Sequence, residues 1–129
     1  MAERDIQHAI RLALAAHEDL VLWRNAAGVA SFHRGGSTQT TRFGLIPGAS
    51  DLIGVLSVRA GDLPRDHRVG RFVALEVKGE RGRLSDEQRR FLALVARLGG
   101  AAGVARSVAE AEQLVTVWRS GGNDASRVG

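Results

Sequence analysis

The sequence predicts an α/β domain: a small mixed β-sheet flanked by helices, in the order αβββαβα. Three observations carry that expectation. Arg71 to Lys78 alternates, with Val73, Leu75 and Val77 on one strand face and Phe72, Ala74, Glu76 and Lys78 on the other. A helix signal follows at Ser85, and then a short run of small residues from Ala101 to Ala105. Such a strand–helix–strand unit is a right-handed parallel crossover. Near the N-terminus, Ile6, Ile10, Ala13 and Leu14 recur at helical spacing, so Asp5 to His17 reads as a helix.

The elements follow in order. Glu3 and Gln7 share a stripe with Ile10 and Leu14 and so point towards whatever the apolar face covers. Leu20-Val21-Leu22-Trp23 is a short strand closed by Asn25-Ala26-Ala27-Gly28. Trp23 and Trp118 read as core. Val29 to Ile46 has little apolar periodicity and reads as a long surface loop or irregular hairpin, a length that is usually functional or disordered. Leu52 to Val58 is apolar and β-branched, a buried strand, and Arg59 to Gly70 connects it to the next. Ser85 and Gln88 form a capping box, Phe91, Leu92, Leu94, Val95 and Leu98 give the helix its apolar face, and Gly99-Gly100 ends it. Ser107 with Glu110 reads as a second capping box before a helix from Val108 to Trp118. Residues 1–120 thus form one domain, and 121–129 a disordered tail.

At 129 residues the chain can build one real core. With no cysteine, disulfides and thiolate metal sites are excluded, and a reducing cytosol is the simplest home. The N-terminus lacks a signal-peptide profile, and no apolar run reaches membrane-spanning length. The net charge is +4, and of 18 basic residues only Lys78 is lysine. Genomic base composition accounts for part of that bias, and phosphate contact for part, since guanidinium binds phosphate in a bidentate way. In a chain that otherwise uses arginine, the amine at 78 stands out as chemically required.

Side chains two apart on a strand project from one face, with Cα atoms roughly 6.6 Å apart. Glu76 and Lys78 could therefore meet at one reacting phosphate. Taken alone, Glu-x-Lys is more simply the solvated face of an edge strand. Asp51 shifts the balance. It follows the turn-like Pro47-Gly48-Ala49-Ser50 and opens an apolar strand. If the two strands are neighbours, two carboxylates lie side by side and repel, which a hard divalent cation relieves. A metal polarises a phosphate and acidifies water, and Lys78 can orient that water or stabilise charge on the phosphate. Gln88 has a cap role and a position near the same pocket. Glu3 is either a solvated helix residue or a further carboxylate on the metal side. Arg81 and Arg83 flank the pocket on a basic turn, and Arg34, Arg42, Arg89, Arg90 and Arg106 are further candidates for backbone contact. The four histidines form no ligand spacing. No glycine run has the lysine and hydroxyl of a Walker-type loop, so no nucleotide cofactor is expected.

Ser50-Asp51 followed by Glu76-x-Lys78 resembles the PD-(D/E)XK nuclease signature. The extended set is similar to one branch, the virus-type replication-repair nuclease (VRR-NUC) domain. It comprises Arg24-Asn25, Phe43-Gly44-Leu45, Pro47 through Gly54, Glu76-Val77-Lys78, Gly82-Arg83-Leu84-Ser85-x-x-Gln88 and Gly103-Val104-Ala105, and it spans about Glu3 to about Leu114. Serine stands before Asp51 where the signature has proline, as is common in this branch. The resemblance implies a restriction-endonuclease-like core, Mg²⁺ or Mn²⁺, and hydrolysis of DNA phosphodiesters. It implies Asp51, Glu76 and the Val77 carbonyl as metal ligands, Lys78 as the catalytic lysine, and matching positions for Glu3 and Gln88. Members of this size resemble phage or prophage proteins, some of them homodimers that cut four-way junctions. The expectation is a structure-selective endonuclease for branched DNA, working as a homodimer in a bacterial or phage-infected cytosol. A nicking or flap nuclease, a nuclease subunit of a larger assembly and a non-catalytic DNA-binding module are the alternatives.

Overall fold

The computed structural model describes residues 2–61, 64 and 66–123. Among these the chain runs α1 (Glu3–Leu14), β1 (Leu20–Arg24), β2 (Gly28–Arg34), β3 (Ser37–Phe43), β4 (Leu52–Arg59), β5 (Arg68–Val77), α2 (Asp86–Arg97), β6 (Ala101–Ala105) and α3 (Val108–Arg119). Four strands form one mixed sheet in the spatial order β1-β4-β5-β6. The β1–β4 and β4–β5 pairs are antiparallel and β5–β6 is parallel. The parallel pair is the crossover that the sequence predicts around α2.

The β5 alternation decides how the layers stack. Val73, Leu75 and Val77 face the main core with Leu52 and Leu56 of β4, beneath α1 (Ile6, Ile10, Leu14) and α3 (Leu114, Val115, Trp118). Ala74 faces the opposite way, into a smaller core with Ala102, Phe91, Leu92 and Val95 under α2. Burying each large aliphatic side chain contributes about 1.5–3 kcal/mol, so the α1/α3 side carries most of the stability. The small residues of β5 and β6 on the other face let α2 approach closely. Arg71 ties the far end together. Its guanidinium donates to the carbonyls of Gly99, Gly100, Trp118 and Gly122, and so satisfies backbone acceptors at the C-terminal ends of α2 and α3.

Several details differ from the sequence expectation. The segment predicted as a loop or irregular hairpin is a regular one, β2 paired residue for residue with β3 from Gly28↔Phe43 to Arg34↔Ser37. Its turn is Gly35-Gly36, with φ of 58° and 80°, the two-residue turn that matches strand twist. The hairpin forms its own sheet and every residue except Gly28 is exposed, so no apolar alternation marked it. The element order therefore contains two more strands than αβββαβα. The first helix spans Glu3–Leu14, and β5 starts at Arg68 within the expected connection. Trp118 is fully buried, but Trp23 is 53% exposed, because it lies on the face of β1 that α2 does not reach. The Ser107 cap is half a box: Ser107 Oγ accepts from Glu110 N, while Glu110 Oε1 accepts from Arg106 N instead of Ser107 N. Of the expected tail, Gly122 and Asn123 bond to Arg71 and Gly100. Residues 124–129 lie outside the described residues.

Gly54 sits where β1 crosses closest to β4, opposite Leu22. A Cβ added there would overlap the carbonyl oxygen of Val21. Gly54→Ala is therefore expected to destabilise the domain by about 2–4 kcal/mol, as backbone displacement in a packed region does. Urea unfolding at unchanged m-value measures it, and a loss under 0.5 kcal/mol, the ordinary range of a surface change, would contradict the close approach.

Candidate active site

The β4–β5 register brings two carboxylates together. Leu52 pairs with Leu75, so Asp51, one residue before β4, comes level with Glu76. Asn25 fixes the backbone there: its N–H donates to Asp51 O (2.7 Å) and its Nδ2 to Ser50 O (3.2 Å). Glu76 is 1% exposed. Burial pushes its carboxyl up to about 9, the close Asp51 carboxylate pushes the same way, Lys78 opposes them, and Glu3 adds to the rise. Asp51 Oδ2 and Glu76 Oε2 are buried with no hydrogen-bond partner among the described residues. Two ionised carboxylates cannot donate to each other. A proton between them, or a cation, satisfies both.

Gln88 performs both of the roles that its position suggests. Gln88 Oε1 accepts from Ser85 N (2.9 Å), and Ser85 Oγ accepts from Gln88 N (3.1 Å), which closes the capping box of α2. Because the oxygen end is committed to an N–H, the amide nitrogen is left for Glu76, and Nε2 donates to Glu76 Oε1 at 3.2 Å. The helix cap thus reaches across the smaller core and holds one oxygen of the buried carboxylate.

Lys78 follows β5 and is half-buried. Its N–H donates to Ala105 O (3.1 Å), and its stem lies over Gly82, where an added Cβ would stand 3.4 Å from Lys78 Cδ. The turn 79–82 is pinned from two sides. Gly79 N donates to Glu3 Oε2 (3.4 Å). Arg106 Nη1 donates to Gly79 O (2.7 Å) and Gly82 O (2.6 Å). Glu3 is thereby brought to the rim of the pocket from α1. Among the described residues no three carboxylate or imidazole side chains converge as a closed ligand set. A pair of hard oxygens fits Mg²⁺, which keeps several of its waters.

Asp51, Glu76, Lys78, Gln88 and Glu3 therefore gather in one place. Arg81 and Arg83 stand exposed on the turn beside it, whereas Arg34 and Arg42 lie on the separate β2–β3 hairpin. The Val77 side chain is buried in the main core. Arg106, a candidate for backbone contact from the sequence, is instead committed to the 79–82 turn, and Arg89 pairs on the surface with Asp86. Sequence reasoning placed Asn25 in the Arg24-Asn25 pair without giving it a role, and missed Arg106 as a support of the site. Asn25 had a faint signal, a polar residue directly after a strand. Arg106 had none, since its partners are backbone carbonyls distant in the chain.

A family model, the VRR-NUC domain, matches residues 2–109, most of the chain and all of this pocket. The chain belongs to the VRR-NUC family. A VRR-NUC domain is a nuclease of the PD-(D/E)XK type, which implies DNA as its substrate. No curated protein matches the chain.

Two expectations follow for this VRR-NUC pocket. Glu76 holds its proton more tightly folded, at about 9, than the ordinary carboxyl at 4.5. Its contribution to stability is therefore full below about pH 4.5 and is lost as pH rises towards 9. Glu76→Gln, which keeps the shape without the charge, should melt several degrees above the unsubstituted protein at pH 8 in chelator, and the gap should close at acid pH. Calorimetry at both pH values checks the sign. Arg106→Gln should loosen the turn under Lys78, lowering kcat about 10–100-fold with KM little changed and partial recovery in Arg106→Lys, because small misplacements near chemistry are costly. A loss confined to KM would contradict a positioning role.

Proposed function

We propose that the protein is an endodeoxyribonuclease dependent on Mg²⁺ or Mn²⁺ that cuts branched DNA, four-way junctions in particular, as a homodimer. The observation that carries the nuclease part is the pair of buried carboxylate oxygens on Asp51 and Glu76, unpartnered and beside the only lysine of the chain. Asp51 and Glu76 would hold the cation, with the Val77 carbonyl as a further ligand and Glu3 at the rim. When bound, the cation would polarise the scissile phosphate and acidify a water. Lys78 orients the attacking water or steadies negative charge on the phosphate. Gln88 keeps Glu76 turned so that Oε2 stays free for the cation. Arg81 and Arg83, on the exposed turn, take the neighbouring phosphates.

Two further features support branched DNA and a pair of subunits. A two-stranded ribbon is marginal in water by itself, and β2–β3 stands apart from the main sheet with Arg34 and Arg42 on it. It suits contact with a second duplex arm or a second subunit. On the main sheet, Val21, Trp23, Val55 and Phe72 remain exposed beside α2, an apolar face suited to self-association. Two symmetry-related sites can cut a junction in pairs. No helix among the described residues is long and apolar enough to cross a membrane.

One gel series tests this. Labelled duplex, single strand, flap and four-way junction are each incubated with Mg²⁺, Mn²⁺ or EDTA. The junction should be cut at least ~10-fold faster than the duplex, and nothing should be cut in EDTA. Lys78→Ala and Asp51→Asn should each lose roughly 10²-fold or more in rate while keeping most of the DNA affinity, as removal of a charge-stabilising group does. Equal cutting of duplex and junction would remove the branch preference, and cutting in EDTA would remove the metal.

A further inference from the structure

A cleft of about 370 Å³ opens beside the pocket, between α1 and the end of β1, lined by Glu3, Arg4, Gln7, His8, Arg11 and Arg24. Arg4, His8 and Arg11 follow i, i+4, i+7 spacing, which aligns them along one flank of α1 over roughly 10 Å. Arg24 closes the cleft from the other side, at the last position of β1. The two ends nearest the pocket are both marked. Glu3 bonds to Gly79 at the turn that follows Lys78, and Arg24 pairs with Leu52, the neighbour of Asp51. The cleft therefore leads away from the carboxylate pair.

Its cations have no work inside the protein. Arg68, Arg71, Arg106 and Arg119 all donate to named protein acceptors. Among the described residues, the side chains of Arg4, Arg11 and Arg24 make no hydrogen bond or ion pair. The chain carries no Asp or Glu from Leu20 through Ser50, so the β1 wall offers no counter-charge. Three guanidinium groups held around one hollow repel each other unless an anion joins them. Glu3 is the carboxylate in the lining, and its Oε2 is turned to the Gly79 N–H at the pocket end. His8 can donate a hydrogen bond in either protonation state. The hollow falls within the ~300–1,000 Å³ range of sites for small ligands, a size that can seat part of one strand's backbone but not a duplex.

We propose that this cleft binds the sugar–phosphate backbone of one DNA strand, on one side of the scissile phosphate. The proposal rests on the nuclease reading and adds to it where the strand runs. Arg4, Arg11 and Arg24 contact successive phosphates, and the strand passes Glu3 to reach the pocket.

The test uses the full chain carrying Lys78→Ala, which blocks cutting. Binding of a labelled single strand and a labelled four-way junction is followed by fluorescence anisotropy from 50 to 200 mM salt. Arg4→Gln, Arg11→Gln and Arg24→Gln are added singly and together, with Arg97→Gln, exposed on the last turn of α2, as the control. Each lost phosphate contact on a single strand should lower the slope of log affinity against log salt by about 0.7, so the triple variant should lose about 2. Its affinity should fall about 10–100-fold. Melting temperatures should not fall, because these side chains hold nothing and their removal only relieves repulsion, and the single variants decide the matter if the triple one folds poorly. A triple variant that binds like Arg97→Gln overturns the cleft assignment and leaves the nuclease standing. Failure of the unsubstituted protein to bind or cut any DNA overturns both.

Discussion

The antiparallel pairing of β4 with β5 puts a carboxylate at the end of one strand against a carboxylate inside the next. Asp51 and Glu76 are neighbours because Leu52 pairs with Leu75, and that register is locked by the main core on the opposite face. A slip of one residue would turn Val73, Leu75 and Val77 away from α1 and α3, so the core and the carboxylate pair are specified together. The cost falls on Glu76. A buried carboxylate beside another carboxylate favours its protonated form, and the pocket satisfies only one of its oxygens, through Gln88. The fold thus stores an electrostatic strain that a cation or a proton relieves, and the stability of the sheet sets how much strain the site can carry.

The arginines divide into two groups by what they touch. One group is structural. Arg71 gathers carbonyls from the ends of two helices, Arg106 holds the turn after β5, and Arg119 bonds Asp19 and lies against His17. The last pairing holds the Asp19 carboxyl below its ordinary range, chiefly through the hydrogen bond from Arg119. The other group, including Arg4, Arg11, Arg24, Arg81 and Arg83, is exposed, and its side chains make no hydrogen bond or ion pair among the described residues. Composition alone cannot separate them. A guanidinium that caps helix carbonyls and one that waits for phosphate look alike in a sequence, because the partners of the first are backbone atoms far away in the chain.

The same distinction between local and distant causes decides what could be read in advance. The β5–α2–β6 unit was legible because its signals are local: strand alternation, a Ser-x-x-Gln cap and a small-residue strand. The strand parity of Glu76 and Lys78 and the place of Asp51 before β4 followed from the same rules. The hairpin was not legible as strands, because both its faces are exposed and no alternation is imposed on it. Gly35-Gly36 was the one local clue, and Gly-Gly between polar flanks is a weak one. Trp23 was misplaced for a topological reason. It would be core if α2 covered the whole sheet, but the parallel crossover places α2 over β5 and β6 and leaves β1 bare.

Gln88 shows why the cap and the site are one device. A capping box needs an acceptor at this position, and glutamate would serve as well as glutamine. A glutamate here would set a further carboxylate against Glu76 and add to the repulsion from Asp51 that burial already compounds. Glutamine accepts with one end and donates with the other, so the same side chain starts α2 and supports the buried carboxylate. Lys78 obeys a similar economy. Its stem lies over Gly82, where a side chain would crowd it, and the turn beneath is held by Arg106 and Glu3. An ammonium on a flexible stem can then point its compact charge at the pocket, whereas a planar guanidinium would spread it. The chain uses arginine at each of its other Lys/Arg positions, and the one lysine stands where a compact charge lies beside the carboxylate pair.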